Sequence, residues 1–226
     1  MKIVRISLIC AAISMVPALS AAQGSAVSPD QREAFEGVIR DYLLKNPAII
    51  REAMQVLQQR EEAEKQALAA RALKEHRAEL LHDASSPVGG NPKGDVTIVE
   101  FFDYNCGYCK KVAPTVSALL KQDPNIRIVY KEFAILGPQS LIAARAALAA
   151  KRQGKYHEFH TALMSAAQLD AGSIAALSKR LGLDQDKWLK DMEDPAITGM
   201  IQRNYRLANV LGINGTPAFI IGDQLI

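Results

Sequence analysis

Cysteine is scarce in this 226-residue sequence, and long apolar runs are missing. Only three cysteines occur, at Cys10, Cys106 and Cys109. The last two lie too close together to build the disulfide framework that stabilises many small secreted domains. The apolar run over residues 6–16 is about eleven residues long, whereas a membrane-spanning helix needs roughly 20. These shortages exclude a disulfide-stabilised scaffold and a transmembrane helix.

The N-terminus has the parts of a secretory signal peptide, which we place at residues 1–22. Lys2 and Arg5 give a positive start, the apolar run follows, and small residues lead up to Ala22. Cleavage near Ala22 would leave a mature chain that begins near Gln23 and is exported from the cytoplasm.

Basic and acidic residues are nearly balanced in number. The chain has 27 lysines and arginines against 24 aspartates and glutamates, which gives a formal charge of +3. Loss of Lys2 and Arg5 with the signal lowers this charge to +1. A nucleic-acid-binding domain has a strongly basic balance, so nucleic acid is not expected as a partner.

Residues 23–84 are predicted to form an N-terminal helical segment. Glycine is nearly absent from residues 29–83, which contain only Gly37, and two helices are expected there. The second helix begins at Asn46–Pro47, and its apolar stripe is interrupted by polar residues over 58–66. Such helices cannot bury their apolar side chains alone. They pack on the rest of the chain or on copies of themselves, and we favour a homo-oligomer formed through residues 29–83.

A second domain is predicted to begin at residue 95. Residues 85–94 are rich in glycine, proline and serine, which predicts a linker. The continuous apolar run over residues 96–102 favours a buried central strand. A helix over 110–121 and a strand over 126–133 follow, which makes a strand–helix–strand unit.

A long helical region separates this unit from the last strand. Residues 139–211 are rich in alanine and predict four or five helices. The chain then returns through a turn at residues 215–217 to a strand at residues 218–221. Strands separated by helices predict an α/β fold class.

Cys106 and Cys109 form a Cys-x-x-Cys motif between the first strand and helix of this unit. In thiol–disulfide exchange, one thiolate attacks a disulfide and a second thiol resolves the mixed disulfide. The start of a helix favours the thiolate, so Cys106 is the predicted nucleophile and Cys109 the resolving thiol. The alternative is half of a zinc site, completed by His157 and His160. The strand before the motif and the helix after it favour redox chemistry without a metal.

Residues 100–109 read Glu-Phe-Phe-Asp-Tyr-Asn-Cys-Gly-Tyr-Cys and resemble the active-site strand and helix start of DsbA-like thiol–disulfide oxidoreductases, a family of the thioredoxin superfamily. Thr216–Pro217 resembles their second signature. The resemblance covers residues 95–226. It implies a thioredoxin-like fold with an inserted all-helical domain at residues 139–211, preceded here by the N-terminal helical segment. The implied redox centre is the Cys106–Cys109 disulfide, with no separate cofactor.

The resemblance also assigns roles around the two cysteines. It implies that Pro217 follows a cis peptide bond and faces the cysteines, and that Thr216 offers backbone hydrogen bonds to a substrate peptide. Gly107 and Tyr108 are expected to contact the substrate and to tune the stability of the thiolate. Glu100 occupies the position of a buried acid that moves the proton of the resolving thiol. The alternatives are an ordinary trans turn at Pro217 and an exposed edge position for Glu100.

Residues 42–47 resemble the N-terminal helices of ScsC-type suppressor-of-copper-sensitivity proteins, some of which oligomerise and act as isomerases. This resemblance implies a periplasmic protein that acts on unfolded or misoxidised exported proteins and is recycled by a membrane redox partner. Two functions stay open. One is a disulfide donor that a membrane oxidase reoxidises, and the other is an isomerase or reductase that a membrane reductase keeps reduced.

Two further expectations concern the thiols and the C-terminus. The alternative function is a copper-binding or copper-tolerance protein that uses Cys106 and Cys109 without catalytic exchange, because thiolates select Cu(I). DsbA-like proteins complete their final hairpin and add a closing helix. The end at Ile226 is therefore expected to truncate the domain.

Overall fold

The computed structural model describes residues 28–226. The predicted signal peptide and Cys10 lie outside the described residues. Within residues 28–226, no helix is both long and apolar enough to cross a bilayer. The described residues divide into two compact units, with the boundary between Gln58 and Gln59.

Within residues 28–226, three helices precede the sheet, α1 (Pro29–Lys45), α2 (Ala48–Glu75) and α3 (Arg77–His82). Ser28 and Gln31 cap the start of α1, because each side chain accepts a hydrogen bond from the backbone N–H of the other residue. The sequence predicted two helices in this region. The structure instead has a break at His76, after which α3 buries Leu80, a side chain that is 2% exposed.

In the described part of the chain, five strands form one mixed sheet in the order β1-β3-β2-β4-β5. They are β1 (Val88–Gly90), β2 (Val96–Phe102), β3 (Ile126–Glu132), β4 (Ala218–Ile221) and β5 (Gln224–Leu225). Strands β2 and β3 run parallel, as the strand–helix–strand order predicted, and β4 pairs antiparallel with β2. Strand β2 therefore has backbone partners on both sides, which suits its continuous apolar sequence.

The predicted linker over residues 85–94 contains strand β1, which pairs antiparallel with β3. Its glycines allow close packing. A Cβ atom on Gly89 would lie 3.0 Å from side-chain atoms of both Ile128 and Tyr130. Gly90 has a φ of 67°, in the left-handed region that favours glycine. The linker prediction needs this correction because glycine marks turns and also places where two segments approach closely.

Helices make the long connections between the strands of the sheet. Helix α4 (Gly107–Gln122) joins β2 to β3. Between β3 and β4 lie α5 (Pro138–Lys151), α6 (Tyr156–Ser165), α7 (Ala171–Arg180), α8 (Gln185–Met192) and α9 (Pro195–Val210). These helices agree with the insertion predicted at residues 139–211. The α/β class, the thioredoxin-like fold with a helical insertion and the preceding helical segment are confirmed.

The two faces of the sheet border two apolar clusters. Because side chains alternate along a strand, Val99 and Phe101 of β2 face one cluster, whereas Ile98 and Phe102 face the other. The first cluster includes Leu80 of α3 and buried side chains of α9. The second includes the alanine-rich helix α5, whose small side chains allow neighbouring helices to approach closely.

Lys131 is a fully buried lysine on β3 that holds the end of α3. Its Nζ atom donates to the Glu79 carbonyl and to Ser86 Oγ, both at 2.8 Å, and lies 3.5 Å from an Asp83 carboxylate oxygen. Burial lowers the pKa of Lys131, and the charge of Asp83 opposes that change. The hydrogen bonds replace the water that a buried ammonium group loses. Helix α3 and the turn after it are therefore fixed to the sheet.

We expect Lys131→Met to destabilise the protein, because it leaves the Glu79 carbonyl and the Ser86 hydroxyl without their donor. Removing one partner of buried hydrogen-bonding groups costs about 1–3 kcal/mol. Urea unfolding followed by circular dichroism measures the loss. The control is Lys121→Met, at an exposed lysine of α4, which should change stability by under about 0.5 kcal/mol. Equal stability of the two variants would contradict the role of Lys131.

Candidate active site

Cys106 is the N-cap residue of α4, just after strand β2 ends. Its backbone is extended, with φ −76° and ψ 115°, and the Cys109 backbone N–H donates to Cys106 Sγ at 3.3 Å. The first N–H groups of a helix have no partners inside the helix. The Cys106 sulfur therefore lies at the positive end of the helix dipole, which favours its thiolate form.

The turn before β4 faces Cys106 from the opposite side. The Cys106 thiol donates to the Thr216 carbonyl at 3.1 Å, although the two residues are 110 positions apart. The Thr216–Pro217 peptide bond is cis, as the resemblance implied, so the trans alternative is excluded. Between the cysteines, Gly107 is exposed and Tyr108 is 73% exposed, which leaves both accessible to a protein substrate.

The two cysteines differ in acidity. Burial opposes ionisation of Cys106, but hydrogen bonding by the Thr216 side chain and by the backbone N–H groups of Cys109 and Tyr108 outweighs it, so the pKa of Cys106 is lowered. Burial raises the pKa of Cys109 to about 12. This difference supports the order that the motif predicted, with Cys106 as nucleophile and Cys109 as resolving thiol.

Glu100 lies in the middle of β2, between β3 and β4, and is 2% exposed. The exposed edge position that was its alternative is excluded. Its side chain lines a cavity of about 450 Å³ together with Lys110, His157 and His160. Burial raises the pKa of Glu100 to about 7. A carboxyl group with this pKa can donate or accept a proton near neutral pH, in line with the predicted role.

Asp103 was not predicted, although it fixes the turn that carries Cys106. Its carboxylate accepts hydrogen bonds from the backbone N–H groups of Asn105, Ile135 and Leu136 at 2.7, 2.8 and 2.9 Å. Its carbonyl accepts one from the Cys106 N–H at 3.0 Å. The end of β2 is thereby tied to the loop after β3. An aspartate two residues before its backbone donor is typical of an Asx turn, and this was the available sequence signal.

A second group that the sequence reasoning missed is a buried hydrogen-bond chain behind the cysteines. Tyr104 Oη lies 3.1 Å from Glu132 Oε1 and 3.1 Å from His160 Nδ1. Tyr156 donates to the same Glu132 oxygen at 2.8 Å. All four side chains are buried. The available sequence signal was a glutamate at the end of an apolar strand, where a charge is costly to bury.

The two histidines considered as zinc ligands have other partners. His157 Nε2 lies 2.9 Å from the Val88 carbonyl, and His160 Nδ1 contacts Tyr104. Among residues 28–226, no three or more His, Cys, Asp or Glu side chains are grouped so that they could hold a metal ion. The described part of the chain therefore gives no support to the zinc alternative.

A protein-family model matches most of the unit Gln59–Ile226, which contains these site residues. A family model described as a DSBA-like thioredoxin domain matches residues 97–226, more than half of the chain. The chain belongs to the DsbA-like thioredoxin family. A second model, described as the copper resistance protein ScsC N-terminal domain, matches residues 31–64. The resemblance to ScsC-type DsbA-like proteins is thereby confirmed.

Solved DsbA-like structures resemble this one. A thioredoxin-like oxidoreductase from Silicibacter pomeroyi DSS-3 is 48% identical, with a TM-score of 0.65 over 66% of this chain and 87% of that chain. Proteus mirabilis ScsC in a transitional conformation is 30% identical, with a TM-score of 0.64 over 89% and 90%. A periplasmic thioredoxin-like protein from Salmonella enterica serovar Typhimurium is 32% identical, with a TM-score of 0.62 over 66% and 85%.

Curated relatives of this DsbA-like chain include much longer proteins. It is 30% identical over 140 residues to the Na(+)/H(+) antiporter NhaA 3 of Salinispora tropica, which is 61% of this chain but 22% of the antiporter. The chain thus spans about a fifth of the antiporters that it matches. The similarity is limited to one part of those antiporters, and it is not evidence for a transport function of this chain.

We expect iodoacetamide to modify the reduced protein once at neutral pH, at Cys106, because the pKa of Cys106 is lowered and that of Cys109 is about 12. Mass spectrometry after brief labelling identifies the site. Cys109→Ser should be labelled like the unsubstituted protein, whereas Cys106→Ser should react at least about tenfold more slowly. Denatured protein is the control and should be labelled at both thiols. Labelling mainly at Cys109 would reverse the assignment.

We expect the stability difference between Glu100→Gln and the unsubstituted protein to change with pH. The ordinary pKa of this carboxyl is 4.5, and burial raises it to about 7 in the folded protein. Between these values the folded state binds more protons than the unfolded state, so the unsubstituted protein loses stability as pH rises. The loss is about 3 kcal/mol relative to Glu100→Gln. Urea unfolding at a series of pH values measures it, and a constant difference would contradict this titration.

Proposed function

We propose that this DsbA-like chain catalyses thiol–disulfide exchange in exported proteins, forming or isomerising their disulfides. The observation that carries the proposal is the Cys106 sulfur, which lies between the N–H groups of α4 and the Thr216 carbonyl beside Pro217. A stabilised thiolate is thus next to backbone groups with which a peptide can pair. An extended substrate segment bonded to Thr216 would bring its own sulfur atoms to Cys106.

The exchange takes place in two steps between sulfur atoms. The Cys106 thiolate attacks one sulfur of a substrate disulfide, a Cys106–substrate disulfide forms, and the other substrate sulfur leaves as a thiolate. Cys109 loses its proton to Glu100 and attacks the Cys106 sulfur, which releases the reduced substrate. In reverse, the same steps transfer the Cys106–Cys109 disulfide to a reduced substrate. Isomerisation occurs when the released substrate thiolate attacks a different disulfide of the substrate. The thiolate freed by that attack then displaces Cys106 from the mixed disulfide before Cys109 does.

The exposed apolar side chains of α1 favour an oligomeric isomerase over a monomeric disulfide donor. No residue of α1 is buried. Five of its large apolar side chains are each more than half exposed, namely Phe35, Val38, Ile39, Tyr42 and Leu44. An apolar surface of this kind is typical of a protein interface, and we assign it to self-association within residues 29–83. Several active sites in one assembly suit the rearrangement of wrong disulfides.

The partners and location belong to the same proposal. The substrates are unfolded or misoxidised exported proteins, and a membrane reductase returns the oxidised Cys106–Cys109 pair to the dithiol form. The predicted signal peptide at residues 1–22 supports export, and the periplasmic relative from Salmonella enterica supports the periplasm as the compartment.

We expect the reduced protein to restore activity to scrambled ribonuclease in a glutathione buffer, and Cys106→Ser to abolish this activity. The double variant Val38→Ser/Tyr42→Ser should sediment as a smaller species and isomerise at least about tenfold more slowly, because the active sites no longer act together. Alkylation of Cys106 should be unchanged in it. The matched control is Glu36→Ser, an exposed polar position on the same helix.

The results of these assays test the exchange reaction and the role of self-association separately. Failure of the unsubstituted protein to exchange any disulfide would sink the redox proposal. Full isomerisation by a monomeric double variant would contradict the role assigned to self-association, while leaving the exchange reaction itself in place.

A further inference from the structure

A buried carboxyl group lies behind the active site and has no part in the exchange steps above. Glu132 is 1% exposed and ends strand β3. In the parallel register Glu100 is opposite Tyr130, and Phe102 is opposite Glu132. Glu100 and Glu132 are therefore diagonal neighbours on the same face of the sheet, with backbones roughly 8 Å apart.

The hydrogen bonds around Glu132 allow two arrangements of protons. The Tyr104 hydroxyl has one proton and lies 3.1 Å from both Glu132 Oε1 and His160 Nδ1. In the first arrangement, Tyr104 donates to ionised Glu132, His160 Nδ1–H donates to Tyr104, and His160 Nε2 carries no proton. In the second, neutral Glu132 donates to Tyr104, Tyr104 donates to His160 Nδ1, and Nε2 carries a proton.

The two arrangements differ by one proton, and its path is continuous. A proton enters at His160 Nε2, the Nδ1 proton moves to the Tyr104 oxygen, and the Tyr104 proton moves to Glu132. The imidazole ring of His160 is neutral before and after the transfer. Burial lowers the pKa of His160 to about 3, which keeps the ring neutral. His160 therefore passes the proton on and does not remain protonated on both ring nitrogens.

The cavity connects this chain of hydrogen bonds to the catalytic groups, because His160 and Glu100 both line it. We propose that His160 and Tyr104 form a proton relay between the cavity at Glu100 and the buried Glu132, a second carboxyl group that exchanges protons with the active site. The relay residues do not touch the reacting sulfur atoms and act through Glu100. They are therefore positioning residues, which determine where the proton lies.

The role of the relay in catalysis rests on the proposed exchange reaction. When Cys109 gives its proton to Glu100, Glu100 becomes neutral and no longer opposes a negative charge on Glu132. Glu132 then releases its proton through Tyr104 and His160 to the cavity. One carboxyl group gains a proton as the other loses one, so the buried site changes little in total charge.

The charged and titratable groups around the relay come from every element that packs against it. They are Glu100 of β2, Asp103 after β2, Lys110 of α4, Tyr130 of β3, and Tyr156 and His157 of α6. Burial raises the pKa of Glu132 well above its ordinary value, the charges of Asp103 and Glu100 add to this effect, and the hydrogen bonds of Tyr156 and Tyr104 oppose it.

The test is time-resolved infrared spectroscopy of the full chain after a pH jump, since the carbonyl stretch of a neutral carboxyl group reports its protonation. The band missing from Glu132→Gln belongs to Glu132, and the band missing from Glu100→Gln belongs to Glu100. We expect both bands to change with pH. In Glu100→Gln, the Glu132 transition should shift to lower pH because the charge of Glu100, which opposes ionisation of Glu132, is gone.

Two tyrosine variants separate a relay from a purely structural role. Tyr104→Phe cuts the link to His160 but leaves the Tyr156 hydrogen bond, so protonation of Glu132 should slow at least about tenfold. Tyr156→Phe removes a hydrogen bond to the same oxygen but leaves the link, so the rate should stay close to that of the unsubstituted protein. This pair decides the question even if Glu132→Gln does not fold.

The relay would be overturned if the Glu132 band did not change over the pH range in which the protein stays folded. It would also be overturned if Tyr104→Phe slowed protonation no more than Tyr156→Phe does. The measurement needs no exchange activity. A protein with a working relay that exchanges no disulfides would therefore overturn the proposed function alone.

Discussion

The Cys106 sulfur is held between the N–H groups that begin α4 and the carbonyl of Thr216, and both contacts depend on the order of strands in the sheet. Strand β2 leads directly to Cys106. Strand β4 pairs antiparallel with β2, and the pairing of Phe101 with Ala218 puts the turn before β4 at the same end of the sheet. The five helices between β3 and β4 can therefore be long and varied in sequence, because one strand pairing returns the chain to the thiol.

Strand β3 carries two buried ionisable side chains in succession, and they do not pair with each other. Side chains alternate along a strand, so Lys131 and Glu132 point to opposite faces of the sheet. Lys131 bonds to α3 and the turn after it, whereas Glu132 bonds to Tyr104 and Tyr156. Each face thus satisfies its ionisable group with its own set of hydrogen bonds. One short strand fixes α3 on one side and supports the active site on the other.

The sequence predicted those features that depend on neighbouring residues. Strand β2 begins and ends where the apolar run does, because a continuous run of this length fits a buried strand. The Cys106 thiol and its turn followed from a local motif, while the cis bond at Pro217 came from the family resemblance. Strand β1 was missed because its glycines also fit a turn. The chain from His160 to Glu132 could not be predicted, since these residues come together only when α6 packs over β3.

The position of Lys131 and Leu80 also determines where the catalytic unit can be separated from the chain before it. Helix α3 covers the sheet face that contains Val99 and Phe101. Limited proteolysis within the exposed part of α2 would leave that cover in place. A cut just before β2 would instead uncover the apolar face of the central strand to other chains and favour aggregation. Recombination that exchanges the N-terminal helices for other helices is therefore tolerated only upstream of Ala72 and Leu73, the residues of α2 that are buried in the same cluster.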